Sequence, residues 1–111
     1  MKRFTVNGKQ YDAKPFDFNL VCDLEDMGVS LQEMGRKHFS VTRAYFSLCA
    51  GLSVEEAGKE LETHAISGGT FVEINGALND EMEKSDFFRT LIKAEEEEIT
   101  ENQSEEEQNE A

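Results

Sequence analysis

The stretch SVTRAYFSLCAGL, residues 40–52, carries the clearest amphipathic pattern in the chain and decides the fold. Its apolar side chains follow the i, i+3, i+4, i+7, i+8 spacing that lines one face of an α-helix. The stripe consists of Val41, Ala44, Tyr45, Leu48, Cys49 and Leu52. We therefore predict a helix that begins at Ser40 and ends at Gly51, because glycine readily takes the left-handed backbone of a helix end.

The next segment predicts a second helix with its own start signal. Ser53 and Glu56 have the capping-box spacing, in which the Ser53 hydroxyl accepts from the Glu56 amide and the Glu56 carboxylate reaches back. Ser67-Gly68-Gly69 is typical of a helix end. The apolar stripe between these signals consists of Val54, Ala57, Leu61 and Ala65, and His64 lies on or beside it.

The segment after residue 70 contains conflicting signals. Asn75-Gly76 is a pair typical of hairpin turns, and the alternation around Ile74 suits a strand. The apolar residues nevertheless keep a 3.6-residue period through Met82, whereas the strand pattern stops. This predicted stripe consists of Phe71, Ile74, Leu78 and Met82. We therefore favour a helix here, and Ser85 can cap one last short helix after it.

An N-terminal β-hairpin is predicted by Asn7-Gly8, which lies between two short β-type runs. Both residues suit the positive φ angles of a two-residue type I′ turn. This turn places Phe4 opposite Tyr11 and puts the apolar side chains of both strands on one face. Because an isolated hairpin is only marginally stable in water, we expect the Phe4/Tyr11 face to pack on helices.

One helix and one shorter turn are predicted between the hairpin and residue 40. Asp17 can cap a helix that ends at Gly28. Residues 30–34 add a turn or two, which Gly35 stops. The predicted fold class is α+β, mainly α, with an N-terminal β-hairpin packed on a bundle of about four to five short helices.

Charge divides the chain into a body and a tail. The 111 residues carry a net charge of −13, but residues 95–111 contain nine Glu and no Lys or Arg. Residues 1–94 hold 15 acidic and 11 basic residues, a net charge of −4. Ile99 is the one large apolar residue of the tail, which is too little to form a core. We predict a single helical domain over residues 1–94 and a disordered acidic C-terminal tail over residues 95–111.

Composition also argues against two classes of partner. Nucleic acids and anionic membrane surfaces attract proteins with a surplus of Lys and Arg, which this chain lacks. No stretch approaches the roughly 20 apolar residues of a membrane-spanning helix, and the N-terminal residues lack the apolar run of a signal peptide. We therefore expect a cytoplasmic protein that binds neither nucleic acid nor a membrane.

The chain lacks the residue patterns that catalysis requires. It contains two histidines, His38 and His64, and neither lies in a nucleophile motif or beside a phosphate-binding glycine loop. Glu60 and His64 lie one helical turn apart, but two ligands do not make a metal site. We expect a packed, hydrogen-bonded His64 imidazole, and we expect no enzyme activity, no cofactor and no metal.

Large apolar side chains are the candidates for partner binding. Aromatic rings bury much area and lose little rotamer entropy when they bind. Phe46 lies off the main stripe of its helix, and Phe87 and Phe88 have two interpretations, core or partner surface, which the sequence leaves open. The predicted partner-binding residues are Phe39, Phe46, Phe87, Phe88 and Leu91.

Four segments together resemble a known family. They are RFTVNGK at residues 3–9, PFDFNLVCDLEDMG at residues 15–28, RAYFSLCAG at residues 43–51 and SDFFR at residues 85–89. Over residues 1–94 the chain resembles the tail assembly chaperones of long-tailed, siphovirus-type phages and prophages of Gram-positive bacteria. The resemblance implies a small chaperone in the cytoplasm of the bacterial host that binds the tape measure protein, helps recruit tail tube subunits and is absent from the finished virion.

The alternative is an acidic regulatory or inhibitory protein that mimics nucleic acid. A mimic would spread carboxylates over a folded face, whereas the acidic excess of this chain lies mainly in residues 95–111. For a chaperone, the tail would keep the client-bearing complex soluble. The sequence leaves the identity of the client and self-association open.

Overall fold

The chain forms one β-hairpin and a set of helices over residues 2–94, the part that the structure, a computed structural model, describes. The elements in chain order are β1 Arg3–Val6, β2 Lys9–Asp12, α1 Phe18–Asp26, a 3₁₀ turn at Leu31–Glu33, α2 His38–Ala50, α3 Val54–Ile66 and α4 Val72–Lys84. A last helix, α5, begins at residue 86 and covers residues 86–94. The predicted α+β, mainly α class is confirmed, and the predicted disordered tail lies outside the described residues.

The hairpin forms as its turn residues predict. Asn7 and Gly8 have φ angles of 53° and 75°, both in the left-handed region that a two-residue type I′ turn requires. Strands β1 and β2 pair antiparallel with Phe4 opposite Tyr11, which confirms the predicted register. On the outer face, the Arg3 guanidinium forms an ion pair with Asp12 at 2.9 Å.

Local capping sets the starts of α1 and α3. The Asp17 carboxylate accepts from the Leu20 amide at 2.9 Å, which satisfies one of the free amides of the first turn of α1. At α3, the Ser53 hydroxyl accepts from the Glu56 amide and the Glu56 carboxylate accepts from the Ser53 amide, so the predicted capping box is confirmed.

The prediction that α2 begins at Ser40 is wrong by two residues. The helix begins at His38, because the Lys37 carbonyl already accepts from the Val41 amide at 2.9 Å. Lys37 supplies no side-chain cap, so Ser40 lies within the first turn. The predicted end is confirmed, since Gly51 has a φ angle of 70°.

The conflicting signals at Asn75-Gly76 resolve as helix, as we favoured. Both residues lie inside α4. The Asn75 side chain accepts from the Thr42 hydroxyl at 2.8 Å, so this polar residue joins α4 to α2 instead of forming a turn. Ile74 and Leu78 of the predicted stripe are buried on the same helix.

The core lies where the hairpin meets α2. The Phe46 ring packs edge-on against Tyr11 at 5.0 Å and against Phe4 at 6.2 Å between ring centroids. Tyr45, also fully buried, donates its hydroxyl to the Lys14 carbonyl at 2.8 Å and so joins α2 to the segment after the hairpin. The expected packing of the Phe4/Tyr11 face on a helix is confirmed.

Candidate partner-binding groove

An open apolar groove lies among the 3₁₀ turn, α4 and α5. It consists of two adjoining cavities of about 370 and 310 Å³, which share Met34, Gly35 and Met82. We call it the methionine groove. Its full lining is Leu31, Gln32, Met34, Gly35, His38, Val41, Asn75, Leu78, Asn79, Met82, Phe88, Leu91 and Ile92.

Ser85 sets the position of the α5 wall. Its hydroxyl donates to the Phe16 carbonyl and accepts from the Phe88 amide at 3.0 Å, so it both caps α5 and fastens the helix to the segment before α1. The Phe88 ring packs edge-on against the buried Phe16 ring at 5.2 Å. Leu91 and Ile92 follow at i+3 and i+4 on the same side of α5, where they extend the wall along the groove.

The opposite wall is positioned by polar contacts around the 3₁₀ turn. Glu33 forms an ion pair with Lys37 at 2.6 Å and accepts from the Ser30 hydroxyl at 3.0 Å. These two partners hold the pKa of the Glu33 carboxyl below its usual range, Lys37 contributing most. The turn is thereby held with Leu31 and Met34 toward α4 and α5.

The chemistry of the lining suits binding. The lining side chains include no Asp, Glu, Lys or Arg, and the polar ones are His38, Gln32, Asn75 and Asn79. Methionine is unbranched and polarisable, so a methionine-lined surface adapts to apolar side chains of different shapes. Beside His38 the described lining contains apolar and amide side chains, a composition suited to contact with an apolar segment.

Two of the five predicted partner-binding residues meet in the groove. Phe88 and Leu91 line it together. Phe87, although adjacent in sequence, packs against the exposed Phe18 at 5.6 Å on another side of α5. Phe39 lies elsewhere, on the first turn of α2, where it is 79% exposed.

The position of Phe46 corrects the prediction that its ring contacts a partner. We predicted a partner contact because Phe46 lies off the apolar stripe of its helix, but its ring is fully buried, with 0% exposed. The reason is that α2 is covered on more than one side. The hairpin packs on the flank that the stripe leaves free, and Phe4 and Tyr11 enclose the ring there.

The two methionines were missed by sequence reasoning. Met34 lies in a short turn with little periodicity, and Met82 was assigned to the core stripe of α4. Both are half-buried against the core and line both cavities. Their position in the sequence could have indicated partial exposure. Each methionine lies at the end of an apolar pattern, where a small core no longer covers the stripe.

His64 is structural, as expected. Its Nδ1 accepts from the Asn7 amide at 3.1 Å, and its Nε2 therefore carries the proton that it donates to the Thr70 carbonyl at 3.0 Å. The Glu60 carboxylate accepts from the Asn7 side-chain amide at 2.7 Å, so the predicted pair serves the hairpin turn. Across residues 2–94 no three His, Cys, Asp or Glu side chains converge as metal ligands.

Comparison of the chain with protein-family models, with curated proteins and with solved structures found no match. Among the described helices, none is long and apolar enough to cross a membrane. A functional assignment for this chain therefore depends on the groove and on the family resemblance of its sequence.

Proposed function

We propose that this protein is a tail assembly chaperone of a long-tailed phage or prophage of Gram-positive bacteria. In this role it binds an amphipathic helix of the tape measure protein in the methionine groove and helps recruit tail tube subunits around it. It acts in the cytoplasm of the bacterial host and does not remain in the virion. The sequence resemblance over residues 1–94 supports the family, and the groove supplies a surface for the client.

The observation that carries the proposal is the composition of the groove. A chaperone for a helical client needs an apolar surface that accepts side chains at i, i+3 or i+4, and i+7. Phe88, Leu91 and Ile92 form an apolar row along one wall of the groove, and Met34 and Met82 line both of its cavities. A helix laid along the groove would bury its apolar stripe against these side chains and leave its polar face in water.

The size of the groove suits reversible holding. Each Leu-sized side chain buried there contributes about 1.5–3 kcal/mol, and the cost of association and side-chain ordering offsets much of this gain. A few anchors therefore give weak binding at one site. Weak sites suit a chaperone, because the growing tube must displace it from the tape measure protein.

The acidic alternative has less support from the body of the protein. Most carboxylates within residues 2–94 have a hydrogen-bond or ion-pair partner within the folded body, as in the ion pair of Asp80 with Lys2 at 2.6 Å and the acceptance of the Thr5 amide by Glu73 at 3.0 Å. These carboxylates stabilise helix starts, the hairpin and its contacts. A nucleic-acid mimic needs a continuous acidic face that remains free to meet a basic groove.

The proposal is tested by co-expression with the tape measure protein encoded near this gene. We expect the full chain to capture that protein, and we expect L91S/I92S to lose capture because two groove anchors become polar. F87S is the matched control, since Phe87 lies on the same helix but packs on Phe18 outside the groove. Circular dichroism of each variant verifies folding.

Two results would contradict the proposal. If folded L91S/I92S captured the tape measure protein at the wild-type level, the groove would not be the client site. Absence of any tape measure gene near this gene, together with inhibition of a nucleic-acid-binding protein that disappears on deletion of residues 95–111, would favour the acidic alternative. A chaperone lacking that segment should keep capture and lose solubility.

A further inference from the structure

A second apolar surface lies on the side of the molecule formed by α2 and α3. Phe39 protrudes from the first turn of α2 and borders a cavity of about 260 Å³. The lining of this cavity also includes Gly58, Leu61 and Phe71. A dry cavity of about 150 Å³ already holds a benzene ring, so this one has room for a phenylalanine side chain. Protrusion and cavity thus lie side by side on one surface.

Opposite charges border the same cavity. Arg43 follows Phe39 by one turn of α2, and Glu62 follows Gly58 by one turn of α3. The Arg43 stem crosses α3 at Gly58, where a Cβ atom would lie 3.4 Å from its Cδ. Both side chains are exposed, and neither takes part in an ion pair with any described residue.

We infer that this surface, which we call the Phe39 surface, binds the same surface of a second copy of the chain in a two-fold dimer. In a two-fold contact each copy presents the same patch, so residue i of one copy meets residue j of the other and the reverse. One patch that holds both a protruding ring and a ring-sized cavity is complementary to itself. Phe39 of each copy would enter the cavity of the other.

The charges favour a second copy over an unrelated partner. Arg43 and Glu62 border the same cavity, so an exchange of the Phe39 rings would place Arg43 of each copy beside Glu62 of the other and form two equivalent ion pairs at the rim. Ile66, 79% exposed and one turn beyond Glu62 on α3, adds apolar area beside them. The dimer does not depend on the proposed function, since the Phe39 surface and the methionine groove have no lining residue in common.

Charge reversal with complementation tests the dimer. R43E places two carboxylates together at each rim, and E62K places two cations together, so each variant alone should sediment as a monomer. In an equimolar mixture the two variants form hetero-pairs with every rim contact between opposite charges, and the dimer mass should return. Analytical ultracentrifugation of the full chain measures both results, and circular dichroism verifies the fold.

Substitution of the ring gives an independent measurement. F39S should raise the dimer dissociation constant by roughly 30-fold or more, because it removes a central aromatic anchor. F18S is the matched control, because Phe18 is 62% exposed on α1 and does not line the Phe39 surface. The inference would be overturned if the wild-type chain stayed monomeric at the highest attainable concentration. It would also be overturned if the mixture of R43E and E62K stayed monomeric.

Discussion

The hairpin end of the molecule, where β1 and β2 pack on α2, and the groove end, around the methionine groove, differ in how their apolar side chains are packed. At the hairpin end, Phe4 and Phe46 are fully enclosed, and Tyr11 fills the space between the strands and α2. At the groove end, Met34 and Met82 are half-buried around open cavities. Apolar residues of the first end stabilise the fold, whereas those of the second remain partly exposed.

The polar contacts of the two ends also differ, in how far apart in sequence their partners lie. At the hairpin end, the Asn7 turn is held by His64 and Glu60 of α3 and the Thr5 amide by Glu73 of α4, so side chains distant in sequence fix the backbone. At the groove end, Ser85 likewise fastens the α5 wall to Phe16, but the contacts around Glu33 are local to the 3₁₀ turn. The 3₁₀ wall, which is held by local contacts, can therefore adjust without disturbing the rest of the fold.

The largest effect is expected from F46A, which tests whether the hairpin end supplies most of the stability. Loss of a fully buried ring leaves a cavity that the hairpin and α2 cannot close, and the expected cost is about 3–5 kcal/mol in free energy of unfolding. Denaturant titration measures it. F18A is the control, because Phe18 is 62% exposed and lines neither the methionine groove nor the Phe39 surface. Equal costs at both positions would abolish the distinction between the two ends.

Tyr45, at the hairpin end, predicts that stability depends on pH in the alkaline range. Burial holds the pKa of its hydroxyl above the usual range, so the folded chain keeps a proton that the unfolded chain loses above about pH 10. Stability from this group is complete below that pH and falls as the pH rises above it. Y45F removes the titrating group, and near neutral pH it costs about 1–2 kcal/mol because the Lys14 carbonyl loses its donor.

The measurement for Tyr45 is the difference in unfolding free energy between the wild type and Y45F. That difference should shrink as the pH rises above about 10. Titrating groups that do not interact with Tyr45 cancel in the comparison, and C49A in both proteins removes the neighbouring Cys49 thiol, which does interact with it. A difference that stays constant over this range would contradict the buried, neutral hydroxyl.

His64 is expected to have a smaller effect, of about 1 kcal/mol, because water can replace part of its contacts. H64A removes the acceptor for the Asn7 amide and the donor to the Thr70 carbonyl. G69A should act through the same ring, since an added Cβ would lie 2.4 Å from it. Thermal melts of the two single variants and the double variant should therefore be non-additive, and additive shifts would show that Gly69 acts independently.

Local chemistry made much of the hairpin end predictable. Asn7-Gly8 determines its own turn, the turn determines the register, and Asp17 and Ser53 cap the helices that they precede. These features depend on residues a few positions apart, so a single sequence contains them. Phe46 was misassigned because its burial depends on which element covers the second flank of α2, and helical periodicity does not contain that information.

The groove was less predictable because it joins distant parts of the chain. Phe88 and Leu91 were identified as candidates from ring size and position, but their site is formed only when residue 34 meets residue 82 in space. No local pattern links the 3₁₀ turn after α1 to the end of α4. The opposite orientations of the neighbours Phe87 and Phe88 likewise follow from tertiary contacts with Phe18 and Phe16.

The smallest effect on stability, and the sharpest test of the difference between the two ends, is expected from I92A. Ile92 is 40% exposed on the groove wall, so the free energy of unfolding should change by about 0.5 kcal/mol or less. The same change at the buried Ile74 of α4 should cost about 2–5 kcal/mol. Capture of the tape measure protein should show the reverse order, with I92A weakening it and folded I74A retaining it. If I92A destabilised the chain as strongly as I74A, the groove wall would belong to the core, and the partial exposure that makes it suitable for a client would have no functional meaning.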